Sequence, residues 1–140
     1  MVKAGQYNKL KVVRKGDFGF YLDDGAEGIL LPNRFVPKNL NIGDEIEVLV
    51  YHDSEDRLIA TTQKPLGIVG DIVKLKTVST TPQGAFLDWG LMKDLFVAKS
   101  QQLTGMRTQG EYLVKIYRDE KTGRVAASEK FDSSLSNDQL

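Results

Sequence analysis

The sequence predicts an all-β protein made of two tandem five-stranded barrels, and three observations carry that expectation. The stretch Asp17-Phe18-Gly19-Phe20-Tyr21-Leu22-Asp23-Asp24-Gly25 returns as Pro82-Gln83-Gly84-Ala85-Phe86-Leu87-Asp88-Trp89-Gly90, with Gly19 and Gly84, Leu22 and Leu87, and Gly25 and Gly90 each 65 positions apart. The match resumes downstream, where Tyr51-His52-Asp53 before Arg57-Leu58-Ile59-Ala60 corresponds to Tyr117-Arg118-Asp119 before Arg124-Val125-Ala126-Ala127 at offsets of 66 and then 67. Two copies of one small β-rich unit account for this better than one larger domain. Finally, units of about 65 residues lie near the lower size limit for folding unaided. The chain has no cysteine to staple them, so closing each sheet on itself is the expected way to bury a core and remove free edges.

Within the first copy, Tyr7 to Arg14 reads as a strand, with Leu10, Val12 and Val13 apolar and lysines interleaved. Lys15-Gly16-Asp17 is a turn, Phe18 to Asp23 a second strand, and Asp24-Gly25 a hairpin turn that uses glycine's freedom at positive φ. Ile29-Leu30-Leu31 forms a third strand stopped by Pro32, and residues 33–42 lack a strand period and read as a bridge with a helical turn. A fourth strand follows Gly43-Asp44, placing Ile46, Val48 and Val50 on one face and Glu45, Glu47, Leu49 and Tyr51 on the other. Asp53 to Asp56 is a charged turn and Arg57 to Gln63 the fifth strand. Three strands, a bridge and two strands is the order of the five-stranded OB-fold barrel.

The first barrel should therefore span residues 1–64 and the second 67–130, with strands near 68–79, 84–88, 94–98, 111–118 and 123–129. Lys64-Pro65-Leu66-Gly67 separates them and is too short for a free tether, so the barrels are expected to touch. Residues 131–140 turn polar and read as a frayed tail or the start of a further unit. The N-terminus lacks the apolar stretch of a secretory signal, and no apolar run approaches the roughly 20 residues that span a bilayer. A cytoplasmic protein with no membrane partner is expected.

Nineteen basic and nineteen acidic residues give zero net charge. That weighs against indiscriminate binding to duplex phosphate, where each neutralised phosphate needs a lysine or arginine. Single-strand binding survives this test because stacking on aromatic rings carries part of its free energy. Phe18 and Tyr21 are three apart and would face opposite sides of a flat strand. A bulge or kink at Gly19 turns both rings outward and leaves Phe20 and Leu22 in the core. Ala85 and Leu87 then take the core positions of the second copy, with Phe86 in the place of Tyr21. The opposite assignment puts Tyr21 and Phe86 in the core. Asp53 with Arg57 and Asp119 with Arg124 flank equivalent turns, where an arginine can meet phosphate or a base, or simply make a hairpin ion pair.

His52, the one histidine, aligns with Arg118 and suits a solvated strand end or a phosphate contact. With no cysteine beside it, it makes no transition-metal site. Trp89 either stacks on a nucleotide or covers a contact between barrels. The acids lie in predicted turns, and no nucleophile elbow, phosphate-cradling loop or metalloprotease helix is present, so no enzyme activity, cofactor or metal is expected.

Phe18-Gly19-Phe20-Tyr21-Leu22, Glu27-Gly28-Ile29-Leu30-Leu31, Gly43-Asp44-Glu45-Ile46 and Asp53 with Arg57 together resemble the S1 RNA-binding domain. Tyr51-His52-Asp53 with Arg57-Leu58-Ile59-Ala60-Thr61-Thr62 and Lys64-Pro65 resembles, more narrowly, the conserved virulence factor B family of bacterial S1 proteins; the second copy is also similar to it through Gly84 to Gly90 and Lys93-Asp94-Leu95. The resemblance implies an RNA face of Phe18, Tyr21, Asp53 and Arg57, with Phe86, Asp119 and Arg124 in the second barrel. The histidine typical of the third S1 strand is replaced by Leu31 and by Val97, and Gln83 stands where the first copy has Phe18. The family also implies a third S1-like unit and a winged-helix domain as partners in the same protein. The expected function is a non-catalytic single-stranded RNA-binding module of a bacterial post-transcriptional regulator, with the larger share of binding in the first barrel. The alternative is a protein-interaction scaffold.

Overall fold

In a computed structural model that describes residues 2–131, the chain divides into two units, Met1–Lys64 and Pro65–Leu140. The expectation for the tail falls mostly on residues 132–140, outside the described residues. Among those described, no helix is long and apolar enough to cross a membrane.

In the first unit, β1 (Tyr7–Lys15), β2 (Gly19–Leu22), β3 (Ile29–Pro32), β4 (Glu45–His52) and β5 (Leu58–Thr61) close into a barrel in the order β1-β2-β3-β5-β4. Antiparallel ladders join all neighbours except β3 and β5, which meet in parallel at Leu30 and Ile59. Val12, Phe20, Leu22, Ile29, Leu31, Val48, Val50 and Ala60 fill the interior. Asn33–Phe35 is a 3₁₀ turn in the bridge, and Phe35, Val36 and Leu40 pack from that bridge onto the core. Phe20 and Leu22 are therefore inside, as the motif predicted.

The phase change near the motif has two parts. The ladder between β1 and β2 runs from Val12 opposite Leu22 to Arg14 opposite Tyr21, so the bulge is at Val13, one strand away from the expected glycine. Gly19 supplies a kink of a different kind. At φ 153° it brings the backbone so close to β3 that a Cβ would land on the Leu31 carbonyl oxygen.

The second unit repeats the plan with β6 (Ile72–Thr81), β7 (Gly84–Asp88), β8 (Leu95–Ala98), β9 (Glu111–Arg118) and β10 (Val125–Ser128), ordered β10-β9-β6-β7-β8. Its bulge falls at Val78, between Thr77 opposite Leu87 and Ser79 opposite Phe86. The strand expected from residue 68 starts at Ile72. Before it, the Asp71 carboxylate accepts from the Ile68 amide (2.9 Å) and Gly70 sits at φ 103°, which makes a turn. β8 and β10 lie side by side, with Cα atoms within 8 Å, but no described ladder closes them. The segment after β8 is tied to the end of β10 by the Glu129 amide, which donates to the Gln101 carbonyl at 3.0 Å, and by side chains. The buried Glu129 carboxylate accepts from the amides of Leu103 (2.7 Å) and Thr104 (3.0 Å) and from the Thr104 hydroxyl, while Ser128 Oγ donates to Gln101 Oε1 at 2.7 Å.

Thr77 occupies the place that Val12 holds in the first core. It is 0% exposed and its hydroxyl has no hydrogen-bond partner. Since a buried hydroxyl left unpaired costs roughly 1–3 kcal/mol, Thr77→Val should raise stability by about 1 kcal/mol. Thermal unfolding followed by circular dichroism checks this, and an unchanged or lowered midpoint would show that the site tolerates the hydroxyl.

Candidate nucleic-acid interface

Residues directly opposite one another in neighbouring strands project to the same face of a sheet. In the first unit the registers link Arg14 to Tyr21, Tyr21 to Leu30, Leu30 to Ile59 and Ile59 to Tyr51. Because Phe20 and Leu31, the neighbours of Tyr21 and Leu30, point into the core, this row faces out of the barrel. Phe18 stands just before β2, 72% exposed, with its carbonyl accepting from the Asn33 amide at 2.9 Å.

Beyond Tyr51, the β4–β5 hairpin is organised by one carboxylate. Asp53 Oδ1 accepts from the amides of Glu55 (2.9 Å) and Arg57 (3.0 Å), and Oδ2 accepts from Arg57 Nε at 3.1 Å and pairs with Arg57 Nη2 at 3.0 Å. Burial pushes the Asp53 carboxyl up, but the two amides and the guanidinium more than offset it and hold its pKa below the ordinary value. Arg57 Nη2 also pairs with the exposed Glu55 carboxylate at 3.5 Å; the Arg57 side chain nevertheless stays 69% exposed, so part of this cation is open to solvent beside its two acidic partners. Burial raises the Tyr51 hydroxyl, the Asp53 carboxylate adds to that, and the Arg34 charge opposes it. Tyr51, Asp53 and Arg34 thus form one electrostatic neighbourhood at this edge.

In the second unit the corresponding row begins with Ser79, Phe86 and Phe96. The rings of Phe86 and Phe96 are 5.1 Å apart between centroids and tilted by 48°. Gly84 makes room for the pair, since a Cβ there would come within 2.6 Å of Phe96 Cζ. Asp119 Oδ1 accepts from the Lys121 amide at 2.8 Å, and the longer turn, with Gly123 at φ 75°, leaves Arg124 just before β10, as Arg57 stands just before β5. Burial and the Asp119 charge raise the Tyr117 hydroxyl, as at Tyr51.

Residues 4–63 match the sequence family described as the S1 domain. The first unit is an S1 domain. An uncharacterized protein of Bacillus subtilis, YitL, is 35% identical over 98 residues, 69% of this chain and 33% of that protein. That aligned stretch is longer than either unit, so the similarity reaches both. A solved multidomain protein with nucleic acid binding domains from Streptococcus pneumoniae has a TM-score of 0.79 at 14% identity, covering 96% of this chain and 48% of that one. At that identity the likeness speaks to the fold alone. The chain spans a third of the length of one relative and about half of the other.

In the S1 unit, Phe18 and Tyr21 both lie outside the core, and Asp53 and Arg57 form one hairpin cluster. Tyr21, however, is half-buried rather than bare. Leu31, at the histidine position, lies wholly within the core, and the outward β3 residue beside Tyr21 is Leu30. In the second unit Phe86 is outward, whereas Trp89 is 2% exposed and its indole N–H donates to the Lys93 carbonyl at 2.7 Å. That burial removes Trp89 as a stacking surface. His52, expected at a solvated strand end, is half-buried with Nδ1 out of solvent.

Sequence reasoning missed Arg14 and Phe96. The second was available from the alignment of Leu95-Phe96-Val97 with Ile29-Leu30-Leu31, once the middle residue was known to face outward. With Phe96, the second unit carries a ring pair, so counting rings no longer ranks the first barrel above it.

Proposed function

We propose that this chain is a non-catalytic module that binds single-stranded RNA on the outward rows of its barrels. The observation that carries the reading is the S1 unit's outward row, bounded by the exposed ring of Phe18 and the carboxylate-held, exposed guanidinium of Arg57. Rings of this kind receive bases and a fixed cation receives the adjoining phosphate. The non-catalytic part rests on the acids at the turns. Asp23, Asp24, Asp53 and Asp119 all accept from backbone amides of their own turns, which is structural work rather than acid–base chemistry. We place the module in the bacterial cytoplasm, within a post-transcriptional regulator resembling the virulence factor B family, where a further S1-like unit and a winged-helix domain would act beside it.

Binding of a labelled, unstructured oligoribonucleotide, followed by fluorescence anisotropy across a salt series, tests the reading. Affinity should fall as salt rises, through counterion release. Phe18→Ala and Phe86→Ala should each weaken binding roughly 5- to 150-fold, the range for losing one stacked base. Arg57→Ala should weaken it less and reduce the salt slope by about 1. A second reading, a protein-interaction scaffold, is favoured by the zero net charge and by apolar Leu30 on the outward row. Absence of binding at low salt would leave that reading standing.

A further inference from the structure

The ring of Tyr21 is already covered. Arg14 Cζ lies 3.8 Å from the ring centroid, the distance of a flat cation–π stack, and Arg14 Nη2 donates to the Glu27 carbonyl at 3.0 Å. The bulge at Val13 creates this arrangement. With unbroken pairing from Val12 and Leu22, Val13 would lie opposite Tyr21, and Arg14 would lie opposite Phe20 and point into the core. The extra residue instead leaves Val13 exposed and sets Arg14 beside Tyr21 on the outer face. The second unit has the same bulge at Val78, but there it sets Ser79 beside Phe86, whose neighbour is the ring of Phe96. The bulge is common to both units. The guanidinium is specific to the first.

A base reaching this part of the S1 face therefore meets Arg14 before it meets Tyr21. Displacing the guanidinium would break both the ring contact and the bond to Glu27, whereas stacking on its outer plane keeps both. A guanidinium plane receives a nucleobase as an aromatic ring does, and its charge also attracts the adjoining phosphate. We propose that Arg14, layered on Tyr21 and pinned by Glu27, is a base-stacking residue of the first unit, with Tyr21 acting as its support. This deepens the RNA-binding reading and rests on it.

The test uses the whole chain with labelled oligouridylate, and compares Arg14→Ala, Arg14→Lys and Tyr21→Ala over a salt series. Arg14 is exposed, so circular dichroism should show the Arg14 variants folded. Arg14→Ala should weaken binding about tenfold and lower the salt slope by about 1. Arg14→Lys should restore the slope, because the charge returns, while affinity stays within about threefold of the alanine variant, because the plane does not. Tyr21→Ala should weaken binding with the slope retained. Recovery of wild-type affinity by lysine would overturn the proposal in favour of a simple phosphate contact. Tighter binding by Arg14→Ala would overturn it by showing that Arg14 screens Tyr21, and unchanged binding by Arg14→Ala would also overturn it. If the wild-type chain does not bind at low salt, the RNA-binding reading itself fails, an outcome separate from any result with the variants.

Discussion

Gly19→Ala should unfold the first barrel. A Cβ at this position would land on the Leu31 carbonyl oxygen, 2.9 Å from Leu31 C and 3.0 Å from the Asn33 amide nitrogen. All three are backbone atoms of β3 and the bridge that follows, so no side chain can swing aside. The backbone angle of 153° adds a conformation that L-residues rarely adopt. Relief would require separating β2 from β3 at the Gly19–Pro32 pair, beside the ladder residues Phe20 and Leu31 that fill the core. The loss should be roughly 4 kcal/mol or more, against a total of about 3–9 kcal/mol for a domain of this size. Gly25→Ala is the control. It also sits at positive φ (84°), but nothing lies within 4 Å of its Cβ position, so the loss should be about 1–2 kcal/mol. Urea unfolding followed by circular dichroism separates the two. Equal midpoints for both variants would mean that β3 yields and that the close approach is not what requires glycine.

The same glycine shows why so much of the fold was legible. Strand order, turns and repeat all follow from local patterns, because a hairpin announces itself in consecutive residues and a second copy confirms the reading. Gly84 reinforces the point, since its Cβ would land on the Val97 carbonyl oxygen in the second unit. Asp53 and Arg57 were legible for a related reason: four residues apart around a tight turn, they can meet whatever the rest of the barrel does. Arg14, by contrast, reaches Tyr21 only because the strand slips one residue at Val13, and Leu10, Val12 and Val13 fit a strand with or without that slip. Phe96 was hidden within Leu95-Phe96-Val97, where three apolar residues in a row give no alternation to say which faces out. Pairing across strands decides both cases, and pairing is set by tertiary structure.

The second large effect is expected at Trp89. Sequence alone left it between stacking on a nucleotide and covering a contact, because the turn that it ends, opposite Asp24 of the first copy, carries no signal of burial. The ring is in fact among the largest fully buried side chains, and its N–H is bonded to the Lys93 carbonyl four residues on, while the Trp89 carbonyl accepts from the Leu66 amide at 2.7 Å. It thus links the start of the second unit to the β7–β8 turn through both packing and hydrogen bonds. Trp89→Ala should destabilise the chain by about 3–5 kcal/mol, the usual range for emptying a buried tryptophan site. Trp89→Phe keeps an aromatic ring but loses the bond to Lys93, and should lie between the two, with a loss of roughly 1–3 kcal/mol. As the sole tryptophan, Trp89 reports on its own surroundings. Native emission should be blue-shifted and resistant to an added quencher, and it should keep its spectrum when oligouridylate is bound. Red-shifted emission, or quenching by RNA at the concentrations where anisotropy rises, would put the indole at the nucleotide and return Trp89 to the binding face.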